Sequence, residues 1–241
     1  MRCGSIHGVV FDAYGTLLNF GVEGMNIAQQ AGLTPAEANQ VLSCWRQQQV
    51  ASTWLRNSLD GDHYDPFTKI TRDALKFSLL SCGVDIPALE ADLMEGFRTA
   101  SLHEDVLPFL HLISVPKAVL TNGDEAVVSD TLAKRGVEMP VLSASRACSF
   151  KPDRAVYQLA CEWSSSEASS LVFVSSNAWD AFAASSFGFR VLWVNREATP
   201  RVSWPGLEPE WEVPSLVALE GSGNEGGTRT STAAGGGKGE R

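Results

Sequence analysis

Three apolar runs in this chain each end on polar residues able to do chemistry. Asp12 follows Val9-Val10-Phe11, Thr121-Asn122-Gly123 follows Ala118-Val119-Leu120, and Ser175-Ser176-Asn177 follows Val172-Phe173-Val174. A fourth group, Lys151-Pro152-Asp153, sits in a loop ahead of a helical pattern. Ligands of open α/β sheets bind at the carboxyl ends of the strands. The placement therefore brings a carboxylate, a hydroxyl, an amide and an ammonium to one edge. Any one of them alone reads as a turn or cap residue. Four together at strand ends read as a site for a small polar ligand.

The elements that must position them follow from the same runs. Gly8 to Phe11, Ala118 to Leu120, Leu171 to Val174 and Arg190 to Val194 are continuous in their apolar character. That is the pattern of strands buried on both faces of a parallel sheet. Helical patterns at Pro152 to Glu162 and Trp179 to Ser186 alternate with the later runs, which predicts βαβ units. The long interval between the first and second strands is too large for a crossover loop and predicts a helical insert. Thr34-Pro35-Ala36-Glu37 has the form of a capping box. Val41, Leu42, Trp45, Val50 and Trp54 then recur at helical spacing, with further helices expected over Pro66 to Ser81 and Ile86 to Ser101.

Composition bounds the function classes. The 241 residues are 44% hydrophobic and 20% charged, with a net charge of −9. That balance is globular, and its sign argues against a nucleic-acid surface or a polybasic membrane anchor. No apolar run approaches the ~18 residues of a membrane span. Asp12 interrupts the only candidate for a signal sequence. The cysteines at 3, 44, 82, 148 and 161 form no C-x-x-C pair and read as reduced thiols, so a cytoplasmic protein is expected. Residues 221–241 hold eight of the 21 glycines and no large apolar side chain, and read as a flexible tail of charge +1.

The motifs resemble a known family. Phe11-Asp12-Ala13-Tyr14-Gly15-Thr16-Leu17 is similar to the first motif of the haloacid dehalogenase superfamily. Thr121-Asn122-Gly123, Lys151-Pro152-Asp153 and Ser175-Ser176-Asn177-Ala178-Trp179-Asp180 are similar to its second, third and fourth. Two features narrow the resemblance to the L-2-haloacid dehalogenases. Tyr14 stands where superfamily phosphatases carry a second, acid/base aspartate. The stretch Trp45-Arg46-Gln47-Gln48-Gln49-Val50 followed by Thr53-Trp54-Leu55-Arg56 looks like the family's cap helix, and Arg46 matches its substrate arginine. The implied fold is an α/β Rossmann-like parallel sheet core with an inserted helical cap domain. Its core would span 1–20 and 105–220, and its cap 21–104.

The resemblance also implies a chemistry. Asp12 would displace the halide with inversion and form an ester, which water then cleaves. Lys151 and Thr16 would orient Asp12, Asp180 would serve the hydrolytic water, and Ser175 and Asn177 would hold these groups. Arg46 and Asn122 would cradle the halide. Thr121 and the backbone near Ala13 and Tyr14 would fix the substrate carboxylate. Gln47, Val50, Phe67, Tyr14 and Trp179 would form the apolar pocket, with Tyr157 supporting the site. Arg56 is expected at the surface. The implied ligand is a small anionic 2-haloacid, with no metal or other cofactor, and relatives are often homodimers.

The sequence departs from the family at Leu18-Asn19, Ala51-Ser52, Asp124-Glu125 and Phe150, and its segment 105–116 is short. These departures bear on substrate size and turnover. A metal-dependent phosphatase of the same superfamily and a non-catalytic carboxylate-binding relative remain the competing readings.

Overall fold

A computed structural model describes residues 5–59, 63–201 and 208–219, and the tail 221–241 lies outside them. In chain order the elements begin with β1 (Gly8–Phe11), β2 (Leu18–Asn19), α1 (Gly21–Gln30) and α2 (Pro35–Ser58). They continue with α3 (Phe67–Ser81), α4 (Leu89–Arg98), β3 (Ser101–Leu102), α5 (Val106–Leu112), β4 (Lys117–Thr121) and α6 (Glu125–Ala133). The last are β5 (Val141–Ser143), α7 (Arg154–Ser164), β6 (Leu171–Ser175), α8 (Ala178–Phe187), β7 (Arg190–Val194) and β8 (Trp211–Val213). No described helix is long and apolar enough to cross a membrane.

Six strands form one sheet in the order β5-β4-β1-β6-β7-β8, with every pairing parallel. The four runs read from sequence are its four inner strands, and Val10, Phe11, Leu120, Phe173 and Val174 are wholly buried there. The two edge strands, β5 and β8, have three residues each, too few to register as apolar runs. Strand β1 lies between β4 and β6, so Asp12 emerges flanked by the loops that follow both.

The insert is helical, as expected, and its ends are tied by a short antiparallel ribbon. Leu18 pairs with Leu102 and Asn19 with Ser101. The helix expected to reach Ser101 therefore stops at Arg98, because Ser101 is claimed by this ribbon. Helix α2 starts on the capping box: Thr34 Oγ1 accepts from Glu37 N, and the Glu37 carboxylate accepts from Thr34 N. Its buried stripe is Ala38, Val41, Trp45, Gln49 and Thr53, while Trp54 is 43% exposed. Two polar residues thus occupy positions that apolar periodicity alone assigns to Val50 and Trp54. Helices α1 and α4 pack so closely that a Cβ on Gly96 would lie 2.5 Å from Ile27 Cδ1.

Asp105 binds three distant segments together. Its carboxylate accepts from Arg196 Nη1 at 2.7 Å, Arg196 Nη2 at 3.0 Å and Leu216 N at 2.8 Å. Burial pushes the Asp105 carboxyl up, but these donors outweigh it and hold the group below its usual 3.8. Stability from such a lowered carboxylate is present above the ordinary value and is lost as pH falls through the lowered one. Asp105→Asn leaves Arg196 without its charge partner, and a loss of about 3 kcal/mol in urea unfolding is expected. The difference between wild type and variant should shrink between about pH 5 and pH 2.

Candidate active site

The loops after β1, β4 and β6 and the loop before α7 meet where the sequence places them. Lys151, 1% exposed, lies between two carboxylates: Nζ donates to Asp12 Oδ1 at 2.7 Å and to Asp180 Oδ2 at 2.5 Å. The second oxygen of Asp12 accepts from Asn177 Nδ2 at 2.7 Å and from Thr16 Oγ1 at 3.1 Å. Thr16 reaches it because the chain turns back at Gly15, whose φ of +86° lies in the left-handed region. Asp180 receives the Tyr157 hydroxyl at 2.7 Å and that of Ser175 at 3.3 Å. Burial works against the Lys151 charge, yet Asp12 and Asp180 together raise its pKa. Burial likewise raises Asp180 despite Lys151, and keeps Tyr157 protonated.

Helix α2 adds a second cation from above. Arg46 Nη2 donates to Asn177 Oδ1 at 2.9 Å, so Asn177 bridges Arg46 to Asp12. Burial lowers the Arg46 pKa, with Asp12 and Asp180 opposing the shift, and the guanidinium stays charged at neutral pH. Two carboxylates and two cations leave the cluster balanced. Asn122 Oδ1 accepts from Lys151 N at 2.7 Å, which turns its Nδ2 to the other side. In the same loop only glycine fits at 123, since a Cβ there would lie 2.7 Å from Val128 Cγ2 and 3.1 Å from the Tyr14 ring.

Asp12, Lys151, Arg46, Asn122 and Asn177 line a cavity of about 20 Å³ with Tyr14, Val50, Phe67 and Trp179 as apolar walls. A larger chamber of about 440 Å³ lies alongside and shares Tyr14, Arg46, Gln49 and Asn177 with it. Tyr14 stacks on Phe97 at 4.3 Å, and burial raises its phenol well above the usual range, so it is a neutral wall. Among the described residues no three His, Cys, Asp or Glu side chains stand close enough to hold a metal ion.

Two expected pocket residues are placed elsewhere. Gln47 is exposed and outside the cavity, because one residue past Arg46 turns it about 100° around the helix. The cavity face of α2 instead carries Gln49, Val50 and Thr53, three, four and seven positions beyond Arg46. Thr121 is buried beside the cavity rather than lining it, and its Oγ1 accepts from Gly123 N at 2.9 Å. Ala13 is fully buried, its carbonyl accepting from Leu17 N and Leu18 N. Arg56 is at the margin of α2, paired with Asp65 at 2.8 Å.

Sequence reasoning missed the residues that seat the insert on the sheet. Asp124 accepts from Phe67 N at 2.9 Å and Thr68 N at 2.8 Å, closing the start of α3, whose own N-cap is Pro66. Asn57 takes both backbone groups of Phe150, donating to O at 2.6 Å and accepting from N at 3.1 Å. Trp54 meets Trp179 edge-on at 5.7 Å. The helical period from Arg46 could have found Gln49; no local signal marks Asp124 or Asn57.

No family model matches the chain. It is 36% identical over 222 residues to the (S)-2-haloacid dehalogenase of Pseudomonas sp. (strain YL), covering 89% of this chain and 93% of that one. The chain belongs to the (S)-2-haloacid dehalogenase family. The (S)-2-haloacid dehalogenase 4A of Burkholderia cepacia is 32% identical over 88% of this chain and 89% of its own. The fold of this family member also superposes on the L-2-haloacid dehalogenase from Xanthobacter autotrophicus with chloropropionic acid covalently bound. That match has a TM-score of 0.77 and 26% identity, over 89% of this chain and 96% of the other.

Removing the central cation should expose its structural role. Lys151→Met leaves two buried carboxylates facing each other and should cost about 3–5 kcal/mol at neutral pH. One carboxyl is then held above its ordinary value in the folded protein, so the folded state binds the extra proton. Unfolding free energy of the variant should rise as pH is lowered from about 8 to 5, a slope opposite to that of a salt-bridged carboxylate.

Proposed function

We propose that this chain hydrolyses L-2-haloalkanoic acids to 2-hydroxy acids with inversion, through an ester on Asp12 and without a metal ion. The observation that carries the reading is the Asp12 carboxylate, 5% exposed and held by Lys151, Thr16 and Asn177 beneath Arg46. A carboxylate stripped of water and aimed by fixed donors is a far better nucleophile than one in solution. The covalently bound chloropropionic acid of the Xanthobacter relative supports an ester.

In the first step an Asp12 oxygen bonds to the substrate C2 from the face opposite the halogen, and the carbon–halogen electron pair leaves with the halide. Arg46 and the free Nδ2 of Asn122 take up that developing charge. No proton is needed by a departing halide, which suits a neutral Tyr14 beside Asp12. In the second step water adds to the Asp12 ester carbonyl. Asp180, made more basic by burial, accepts its proton while Lys151 stays between the two carboxylates. Collapse returns Asp12 and frees the 2-hydroxy acid, with one proton released per halide. Ser175 and Tyr157 hold Asp180 in line, and the substrate carboxylate falls to the backbone N–H groups of Ala13 and Tyr14, since Thr121 does not reach the cavity.

Residues 21–104 act in this reading as a cap, and 1–20 with 105–220 as the core. A cavity of about 20 Å³ has room for a single water, so the cap and core must part to admit a haloacid.

The test uses L- and D-2-chloropropionate with chelator present, following halide. Release from the L isomer alone, unaffected by chelator and abolished in Asp12→Asn, is expected. Loss of all activity with chelator would favour the phosphatase-like alternative. In a single turnover in ¹⁸O-water, the label should enter Asp12 and not the product; label in the product would mean direct attack of water on C2.

A further inference from the structure

Arg46 is the side chain to which the proposed reaction gives the departing halide, and it stands between two spaces. The chamber of about 440 Å³ and the cavity of Asp12 share Arg46 as a wall. An arginine free to choose between them loses rotamer entropy on the Asp12 side and has space to leave it. The second hydrogen bond of its guanidinium, Nη1 to Gln49 Oε1 at 2.7 Å, opposes that movement.

Gln49 is 2% exposed and its amide has one permitted orientation. Thr71 on α3, fully buried, spends its only hydroxyl proton on Phe67 O at 2.8 Å. Its Oγ1 can therefore only accept from Gln49, and it does so from Nε2 at 2.8 Å. With the amide nitrogen committed to Thr71, the amide oxygen faces Arg46. Trp45 Nε1 donates to Thr71 O at 2.8 Å and locks the two helices at the same level. The chain of contacts runs from Thr71 through Gln49, Arg46 and Asn177 to Asp12.

We propose that Gln49, oriented by Thr71, is a positioning residue that holds Arg46 on the halide side of its two cavities. The proposal rests on the dehalogenase reading for its consequence in rate, although not for the hydrogen bonds themselves. Arg46 keeps Nε and its remaining Nη hydrogens for the leaving halide, while Gln49 and Asn177 fix the plane in which they point.

Chloride is a poorer leaving group than bromide and gains more from a placed cation. Thr71→Val removes the acceptor with little change of volume and frees the Gln49 amide to rotate. Its kcat/KM for L-2-chloropropionate should fall about 10- to 100-fold, with a distinctly smaller fall for L-2-bromopropionate. Thr71→Ser, which keeps the acceptor, should restore both to within about twofold of wild type. Equal losses for the two halides, or no rescue by serine, would overturn the proposal. If Thr71→Val does not fold, Gln49→Met is read by the same halide ratio. Side-chain NMR separates this from the broader reading. Slowly exchanging Gln49 Nε2–H and Arg46 guanidinium signals should be present in wild type and lost in Thr71→Val. A wild type that releases no halide but shows that pattern would sink the dehalogenase reading alone. Unchanged signals in Thr71→Val would sink the positioning role whatever the activity.

Discussion

Lys151 is buried to 1% exposure between two carboxylates that are themselves nearly inaccessible, and much of the site follows from making that tolerable. Taking an ion out of water costs several kcal/mol even after relaxation, and attraction repays it only when every remaining lone pair is used. Asp180 accordingly collects Tyr157 and Ser175, and Asp12 collects Thr16 and Asn177. Two carboxylates and one ammonium still leave a surplus negative charge. Arg46, brought across from α2, cancels it. In the proposed reaction an incoming carboxylate meets a site whose side-chain charges are already paired with one another, in a chain of net charge −9.

The helical insert is fastened to the sheet at loops that carry the chemistry. Asp124, beside the Asn122 loop, supplies the acceptors for the first N–H groups of α3. Asn57 at the end of α2 binds the backbone of Phe150, immediately before Lys151. The aromatic group of Tyr14, Phe20, Trp45 and Phe97 joins the β1 loop to the insert at the root of the excursion. Seating the insert and assembling the site are therefore one packing event. Asp124 and Phe150, at which the sequence reading marks departures from the pattern it resembles, both lie at these seams and not among the groups that hold Asp12.

Inner strands and long helices were legible because each depends on its own residues: a continuous apolar run, a capping box, a 3.6-residue repeat. Edge strands β5 and β8 were not, being held by pairing to a neighbour rather than by apolar content. Asp12, Asn122 and Asn177 were legible because strand ends converge in any parallel sheet, Lys151 from its loop ahead of a helix, and Asp180, inside α8, only through the family resemblance. Gln47 was misplaced for the opposite reason. Motif adjacency to Arg46 cannot say which side of a helix faces a cavity, and the packing of α2 on α3 turns Gln49 inward instead.

Sequence alone thus determined the residue types, their order at the strand ends, and the existence of a helical insert. These are local properties, set by side-chain chemistry and backbone period. Tertiary structure decided which face of α2 meets Asp12, which partner orients each amide, and how the insert is seated. Those are relations between segments far apart in the chain, such as Arg46 with Asn177 or Asn57 with Phe150, and they exist only once burial forces each polar group to find a specific partner.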